Sequence, residues 1–132
     1  MTITIYRVQD ASGRGPWKPG FSAKWVEARP DHGNLPPCYI EFGLVNEKAL
    51  PWEHVGCGCR TLEQLRRWIT ASEYHTLLRH GYQAVAVTAD RILGESSIQC
   101  VFATREPLKI CTPVELYPIT DAKEATDGAS PS

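Results

Sequence analysis

The sequence predicts an α+β fold, with a mostly antiparallel sheet, a small two-helix layer and a long ordered N-terminal loop region. Short runs of β-branched and aromatic residues recur along the 132 residues, which is typical of strands. Residues 61–81 carry two helical signals in succession. Residues 10–53 are rich in Gly, Pro and Trp, and long ordered loops of this kind are more often functional than neutral.

The first strand is predicted at residues 2–9, TITIYRVQ. Side chains alternate between the two faces of a strand, so Arg7 points the same way as Ile3 and Ile5. Arg7 is therefore either an edge residue whose stem covers apolar surface or the floor of a pocket.

Residues 10–22 contain three glycines and two prolines, which exclude regular structure there. Arg14 and Trp17 place a guanidinium and an indole beside flexible backbone, and these are the parts of an anion or nucleotide site. The alternative is an ordered surface loop pinned by Trp17 and Phe21. Beyond this loop we expect a turn of helix at residues 24–28 and a short strand at 38–45.

Residues 54–82 contain the strongest local signals. Thr61 and Gln64 predict a capping box at the start of a helix. Four apolar residues then recur at helical spacing: Leu62, Leu65, Trp68 and Ile69. Ser72 is expected to open a second short helix, and Gly81 to end it in the left-handed conformation.

Two further strands are predicted at residues 82–89 and 98–104, joined by a turn-rich connection at 90–97. A last strand at residues 109–116 is expected at a sheet edge, because Pro113 cannot donate a hydrogen bond. We expect one globular domain over residues 1–119. Residues 120–132 have too little apolar content to order themselves and are expected to form a disordered tail.

Charge and composition exclude several classes of function. The net charge is −1, whereas general nucleic-acid binding needs a concentrated basic face. No apolar run approaches the roughly 20 residues of a membrane span, so we expect a cytoplasmic protein that does not enter a membrane. The five cysteines are an odd number without a secreted spacing, which predicts reduced thiols.

The cysteines also suggest two kinds of chemistry. Cys57 and Cys59 lack the roughly two to four intervening residues of a zinc knuckle, and we assign no metal site. Cys59 lies just before the predicted helix start, where a thiol can be activated, with His54 or His75 as a candidate base. The sequence nevertheless contains no complete catalytic set.

Three short segments follow one another in a suggestive order: Tyr6-Arg7, then Cys59-Arg60-Thr61, then residues 95–99. Their order resembles a compact ADP-ribosyltransferase-type domain. The resemblance implies that Arg7 binds a nucleotide phosphate, that Thr61 orients the ligand, and that Glu95 or Gln99 lies at the reactive ribose of NAD. Where Gln99 replaces the family's glutamate, binding without turnover is implied, because an amide cannot supply the missing negative charge.

The overall pattern of YRVQDASGRGPW, CGCRTLEQLRRW, GYQAVAV and QCVF resembles short proteins carried by bacteriophages. Such proteins often dock on a host protein, including as inhibitors of host defence. The docking face would then be the Pro/Gly/Trp-rich region of residues 13–53, since Trp and Arg often anchor interfaces. Its candidate anchors are Trp17, Trp25, Arg29 and Trp52. Two functions stay open, non-catalytic docking on a host protein and binding of NAD or a related nucleotide with or without transfer.

Overall fold

A computed structural model describes residues 2–17, 20–27 and 37–117, without the side chains of residues 38 and 39. Within these ranges the chain forms six strands in two antiparallel sheets, together with four short α-helices and one 3₁₀ helix. The predicted α+β class with mostly antiparallel pairing is therefore confirmed. The tail predicted at residues 120–132 and the candidate anchor Arg29 lie outside the described residues.

The six strands divide equally between the two sheets. The first sheet has the order β1 (Ile3–Gln9), β3 (Gln83–Ala89) and β6 (Thr112–Pro113). The second sheet has the order β2 (His54–Gly58), β5 (Cys100–Thr104) and β4 (Arg91–Glu95). An isolated bridge joins the sheets, in which the amide nitrogens of Tyr6 and Cys59 each donate to the other residue's carbonyl at 2.7 and 2.8 Å.

The helices occupy two places in the chain. Two lie in the N-terminal region, α1 (Ser22–Trp25) and α2 (Cys38–Phe42), and the 3₁₀ helix (Val45–Lys48) follows them. Two lie between β2 and β3 in the chain, α3 (Leu62–Trp68) and α4 (Ala71–Arg79). The chain therefore has the predicted helix pair and also a helical N-terminal region.

The helix pair begins and ends largely as predicted. Thr61 and Gln64 form the expected capping box, with the Gln64 amide nitrogen 3.0 Å from the Thr61 hydroxyl. Gly81 ends the second helix with φ +85°. The predicted start at Ser72 is wrong, because Thr70 caps α4 through a second capping box with Glu73.

Three of the other predicted elements need correction. The strand expected at residues 38–45 is wrong, because α2 and the start of the 3₁₀ helix occupy this range. The turn-rich connection expected at residues 90–97 contains β4, with a register shift between Ile92 and Gly94. The last strand shrinks to Thr112–Pro113, although it does lie at a sheet edge as expected.

The core forms three clusters because both faces of each sheet are covered. On one face of the first sheet, Val8 and Ala84 pack with the helix residues Leu65 and Leu77. The opposite face packs against the second sheet through a cluster of six buried residues: Ile5, Val85, Val87, Ala89, Cys100 and Phe102. The outer face of the second sheet is covered by residues from the 42–49 segment.

Candidate functional site

Arg7 lies at the end of the layer between the two sheets and is buried. Its Nη1 donates to the Cys57 carbonyl at 3.2 Å, and its Nη2 donates to the Gly13 carbonyl at 3.3 Å. The guanidinium therefore ties β1 to the loop after it and to β2. The sequence left Arg7 either as an edge residue or as the floor of a pocket. The structure places Arg7 in the interior, behind the loop that follows β1.

The charge of Arg7 is poorly compensated. Burial lowers the pKa of the guanidinium to about 10, and the nearby Asp10 and Cys111 oppose this only in part. Two carbonyl groups accept from Arg7, and no described carboxylate forms a salt bridge with it. Its Nε is buried without a hydrogen-bond partner.

An open cleft of about 1020 Å³ lies beside this buried cation. Its walls are residues 11–13, 53–55 and 107–109, which come from three separate loops and strand ends. Gly13 is both a wall of the cleft and the acceptor from Arg7. The cleft is wide and shallow, unlike the enclosed pockets that bury most of a small ligand.

The other residues suggested by the transferase resemblance lie around the start of α3. The carboxylate of Glu95 accepts both of its hydrogen bonds from Arg60, at 3.0 and 3.1 Å. The Thr61 hydroxyl caps α3. The Gln99 amide is buried and donates to the Glu41 carboxylate at 2.8 Å.

The structure thus brings the three segments side by side through the Tyr6–Cys59 bridge and the Arg60–Glu95 pair. Their polar side chains are already engaged within the protein. Arg7 in particular is directed to the Gly13 and Cys57 carbonyls, whereas Glu95 is held by Arg60. Arg14 is exposed on the loop, and its backbone carbonyl accepts from the Asp10 amide.

The tryptophans proposed as anchors have different environments. Trp25 is only 2% exposed, and its indole donates to the Pro16 carbonyl at 3.1 Å. Trp17 is about half exposed and packs edge-on against Trp25 and Trp68, with ring centroids 5.2 and 5.7 Å away. Trp52 stands in solvent with 60% of its surface exposed.

Sequence reasoning missed three residues that share the exposed character of Trp52. They lie on the same segment, with Ile40 62%, Leu44 76% and Leu50 43% exposed. We call Ile40, Leu44, Leu50 and Trp52 the 40–52 face. The spacing of Ile40 and Leu44 is a helical signal, but a predicted strand at this position hid it.

The 40–52 face rests on residues that are firmly anchored to the second sheet. Val45 is buried in the cluster of β4 and β5, and the Phe42 ring packs against Gly94. Arg91 binds both the Lys48 carbonyl, at 2.8 Å, and the Glu53 carboxylate. The backbone that carries the apolar side chains of the face is therefore held against the second sheet.

The cysteines provide little support for metal or thiol chemistry near β2. Cys57 is disulfide-bonded, which corrects the expectation of reduced thiols at this residue, since spacing in sequence does not show which thiols meet in space. Cys59, Cys100 and Cys111 are free, as expected. Burial raises the pKa of the Cys59 thiol to about 12. Among the described residues, His, Cys, Asp and Glu side chains form no group of three that could hold a metal.

Every helix in the described parts of the chain is too short or too polar to cross a membrane. No curated protein matches the chain, and no solved structure matches it. A family model described as "Bacteriophage T4 Y00F protein" matches residues 1–112, which includes both sheets as far as β6 and the helix pair. The resemblance to bacteriophage proteins is thus confirmed, and the chain belongs to the bacteriophage T4 Y00F protein family.

Proposed function

We propose that this phage accessory protein docks on a host protein through the 40–52 face and inhibits it without catalysis. The observation that carries the proposal is the exposure of Ile40, Leu44, Leu50 and Trp52 on one anchored segment. Exposed apolar surface costs free energy in a monomer, and clusters of it commonly mark interaction sites. A host defence protein is the partner that the phage setting favours.

Trp52 is the expected centre of the interface. Tryptophan is enriched among the few residues that dominate binding free energy, because its ring loses a large apolar area to the partner. Trp52 lies in the turn just before β2, where the Arg91–Glu53 salt bridge fixes the backbone beside it. An anchor on backbone fixed in this way loses little backbone entropy when it binds.

The non-catalytic part of the proposal is supported by the engaged polar side chains. Glu95 is paired with Arg60, and Gln99 is buried against Glu41. A catalytic carboxylate needs access to the reacting atoms. Binding through apolar contact requires no such carboxylate, and the exposed side chains of the 40–52 face can make such contact.

The test is capture of a partner from host lysate by the tagged protein and by two variants. Trp52→Ala should lose the captured protein, because it removes the anchor. Leu78→Ala is the matched control, since Leu78 is as exposed as Leu50 at 43% but lies on α4. Titration calorimetry with the purified partner should then show binding by the wild type and Leu78→Ala, and much weaker binding by Trp52→Ala. Equal loss in both variants, or in neither, would contradict the proposal.

A second candidate is binding of NAD or a related nucleotide, with or without transferase activity. It is favoured by the adjacency of the three segments around the Tyr6–Cys59 bridge and the Arg60–Glu95 pair. Calorimetric titration with NAD and ADP-ribose tests it directly. Heat of binding that falls in Arg14→Ala would support this candidate, and absence of heat with the wild type would retire it.

A further inference from the structure

Gln9 lies next to Arg7 on the same face of β1 and is also buried with one polar atom unpaired. Its Nε2 donates to the Leu108 carbonyl at 2.7 Å and contacts the Cys111 sulfur at 3.4 Å. The short bond to Leu108 fixes which end of the amide is the nitrogen. Gln9 Oε1 is a buried acceptor without a hydrogen-bond donor. An unpaired buried acceptor costs free energy, which a donor placed beside it would recover.

Cys111 contacts the nitrogen of the same Gln9 amide, and solvent can reach this residue. It lies just before β6, is partly exposed, and lines a cavity of about 430 Å³ with residues 104–107 at and after the end of β5. Its thiol lies 3.5 Å from the Lys109 carbonyl. Cys111 thus lines a solvent-filled cavity, and its sulfur contacts the Gln9 amide nitrogen.

The other cysteines whose side chains are described differ from Cys111. Cys59 and Cys100 are buried, and burial raises the pKa of each thiol to about 12. Buried thiols of this kind stay protonated and unreactive near neutral pH. Cys57 is disulfide-bonded. In the described part of the chain, Cys111 is therefore the free cysteine that a dissolved reagent can reach.

We propose that Cys111 is a peroxide-oxidation site and that Gln9 is the positioning residue that holds the product. The Cys111 thiolate attacks one oxygen of hydrogen peroxide, so that an S–O bond forms and the O–O bond breaks. The leaving hydroxide takes up a proton and becomes water. The sulfur is oxidised by two electrons to sulfenic acid, and the peroxide is reduced by the same two.

The sulfenic acid supplies the donor that the site lacks. Its S–O–H group donates to Gln9 Oε1, while Gln9 Nε2 keeps its bond to the Leu108 carbonyl. Both ends of the buried amide then have partners. A net hydrogen bond of ordinary strength corresponds to a lifetime of the sulfenic acid about fivefold longer than in an unstructured peptide.

The experiment treats the full-length protein with hydrogen peroxide at neutral pH and traps sulfenic acid with dimedone at increasing delays. Mass spectrometry of peptides then locates the adduct. We expect the adduct at Cys111, its absence at Cys59 and Cys100, and a slower decay than for a cysteine in an unstructured peptide. Gln9→Met keeps the length of the side chain and removes the amide, so the adduct at Cys111 should decay faster in that variant.

Alkylation of Cys111 by iodoacetamide separates a positioning role from a merely structural one. Loosened packing in Gln9→Met would speed alkylation and trapping alike, whereas loss of the hydrogen bond shortens only the life of the sulfenic acid. If Gln9→Met fails to fold, the decay of the wild-type adduct compared with that of the unstructured peptide still tests the proposal, because this comparison needs no variant. No adduct at Cys111, or a decay equal to that of the peptide, would overturn the proposal.

Discussion

The Arg7 guanidinium occupies the space that a side chain at Gly56 would need. A Cβ on Gly56 would collide with Arg7 Nη1 and would stand 3.0 Å from both Leu108 Cδ1 and Phe102 Cζ. This contact explains why β2 carries a glycine at its centre although glycine weakens strands. Arg7 and Gly56 together fix how closely β1 and β2 approach, and so how the two sheets meet.

Gly56→Ala is expected to lower the free energy of unfolding by about 2 kcal/mol, because overpacking forces side chains and backbone to move. Gly15→Ala is the matched control, since its Cβ would stand 3.5 Å from Arg7 Nη2, an ordinary contact. That control should change stability by less than about 1 kcal/mol. Urea denaturation of both variants measures the difference, and similar values for the two would show that Arg7 moves aside freely.

Thr61→Ala is expected to lower the free energy of unfolding by about 1 kcal/mol, because the α3 capping box loses its hydroxyl acceptor. The Thr61 hydroxyl accepts from the Gln64 amide at 3.0 Å. Thr76→Ala tests the specificity of the effect, since Thr76 is half-buried within α4, caps no helix, and has a hydroxyl that makes only long bonds, donating to the Ser72 carbonyl at 3.3 Å and accepting from Arg79 Nη2 at 3.5 Å. Thermal unfolding should place Thr76→Ala close to the wild type, and an unchanged Thr61→Ala would mean that the cap does not stabilise α3.

The salt bridge between Glu53 and Arg91 predicts a loss of stability in acid. Hydrogen bonding from Arg91 lowers the pKa of the Glu53 carboxyl to about 2, from an ordinary value of 4.5. Because the folded-state pKa is the lower one, the pair stabilises the fold above about pH 4.5, and this contribution is lost as the pH falls toward 2. The melting temperature of Glu53→Gln should therefore lie below that of the wild type at neutral pH and approach it in acid.

Glu63→Gln provides the control for this pH dependence, since Glu63 is exposed on α3 and has no described role in holding the 40–52 face. Its melting profile should follow that of the wild type across the same range of pH. A constant difference between Glu53→Gln and the wild type would show that the salt bridge is not the source of the acid sensitivity.

Removal of residues 121–132 is expected to leave the melting temperature unchanged. The segment DAKEATDGASPS is polar, and alanine is its only hydrophobic residue type. It therefore offers little apolar surface for burial. The family model also ends before it, at residue 112. Differential scanning calorimetry of the truncated and full-length proteins compares them directly, and a clear drop in the truncated protein would show that the segment docks on the domain.

The sequence predicted elements whose signals are local. The Thr61–Gln64 capping box, the strand around Arg7 and the stop at Gly81 all depend on residues within one turn or one strand. The Thr70–Glu73 capping box was equally readable, but Ser72 offered a competing cap two residues later.

The elements that sequence reasoning missed depend on contacts between distant residues. Residues 38–45 form a short apolar run, which periodicity cannot assign to helix or strand, and packing of Phe42 and Val45 on the second sheet accompanies the helical form. Gly94 and the turn-like residues beside it indicated a turn in place of β4. The strand forms because its pairing with β5 accommodates a register shift between Ile92 and Gly94. The 40–52 face could not be predicted for the same reason, since exposure is decided by what the sheet covers.

Hydrogen–deuterium exchange of the protein, alone and bound to its captured host partner, tests the docking proposal most directly. We expect slower exchange in the complex at residues 40–52 and no change in α4, which carries Leu78, as exposed as Leu50. Protection centred on α4 or on the cleft beside Arg7, with residues 40–52 unchanged, would contradict it.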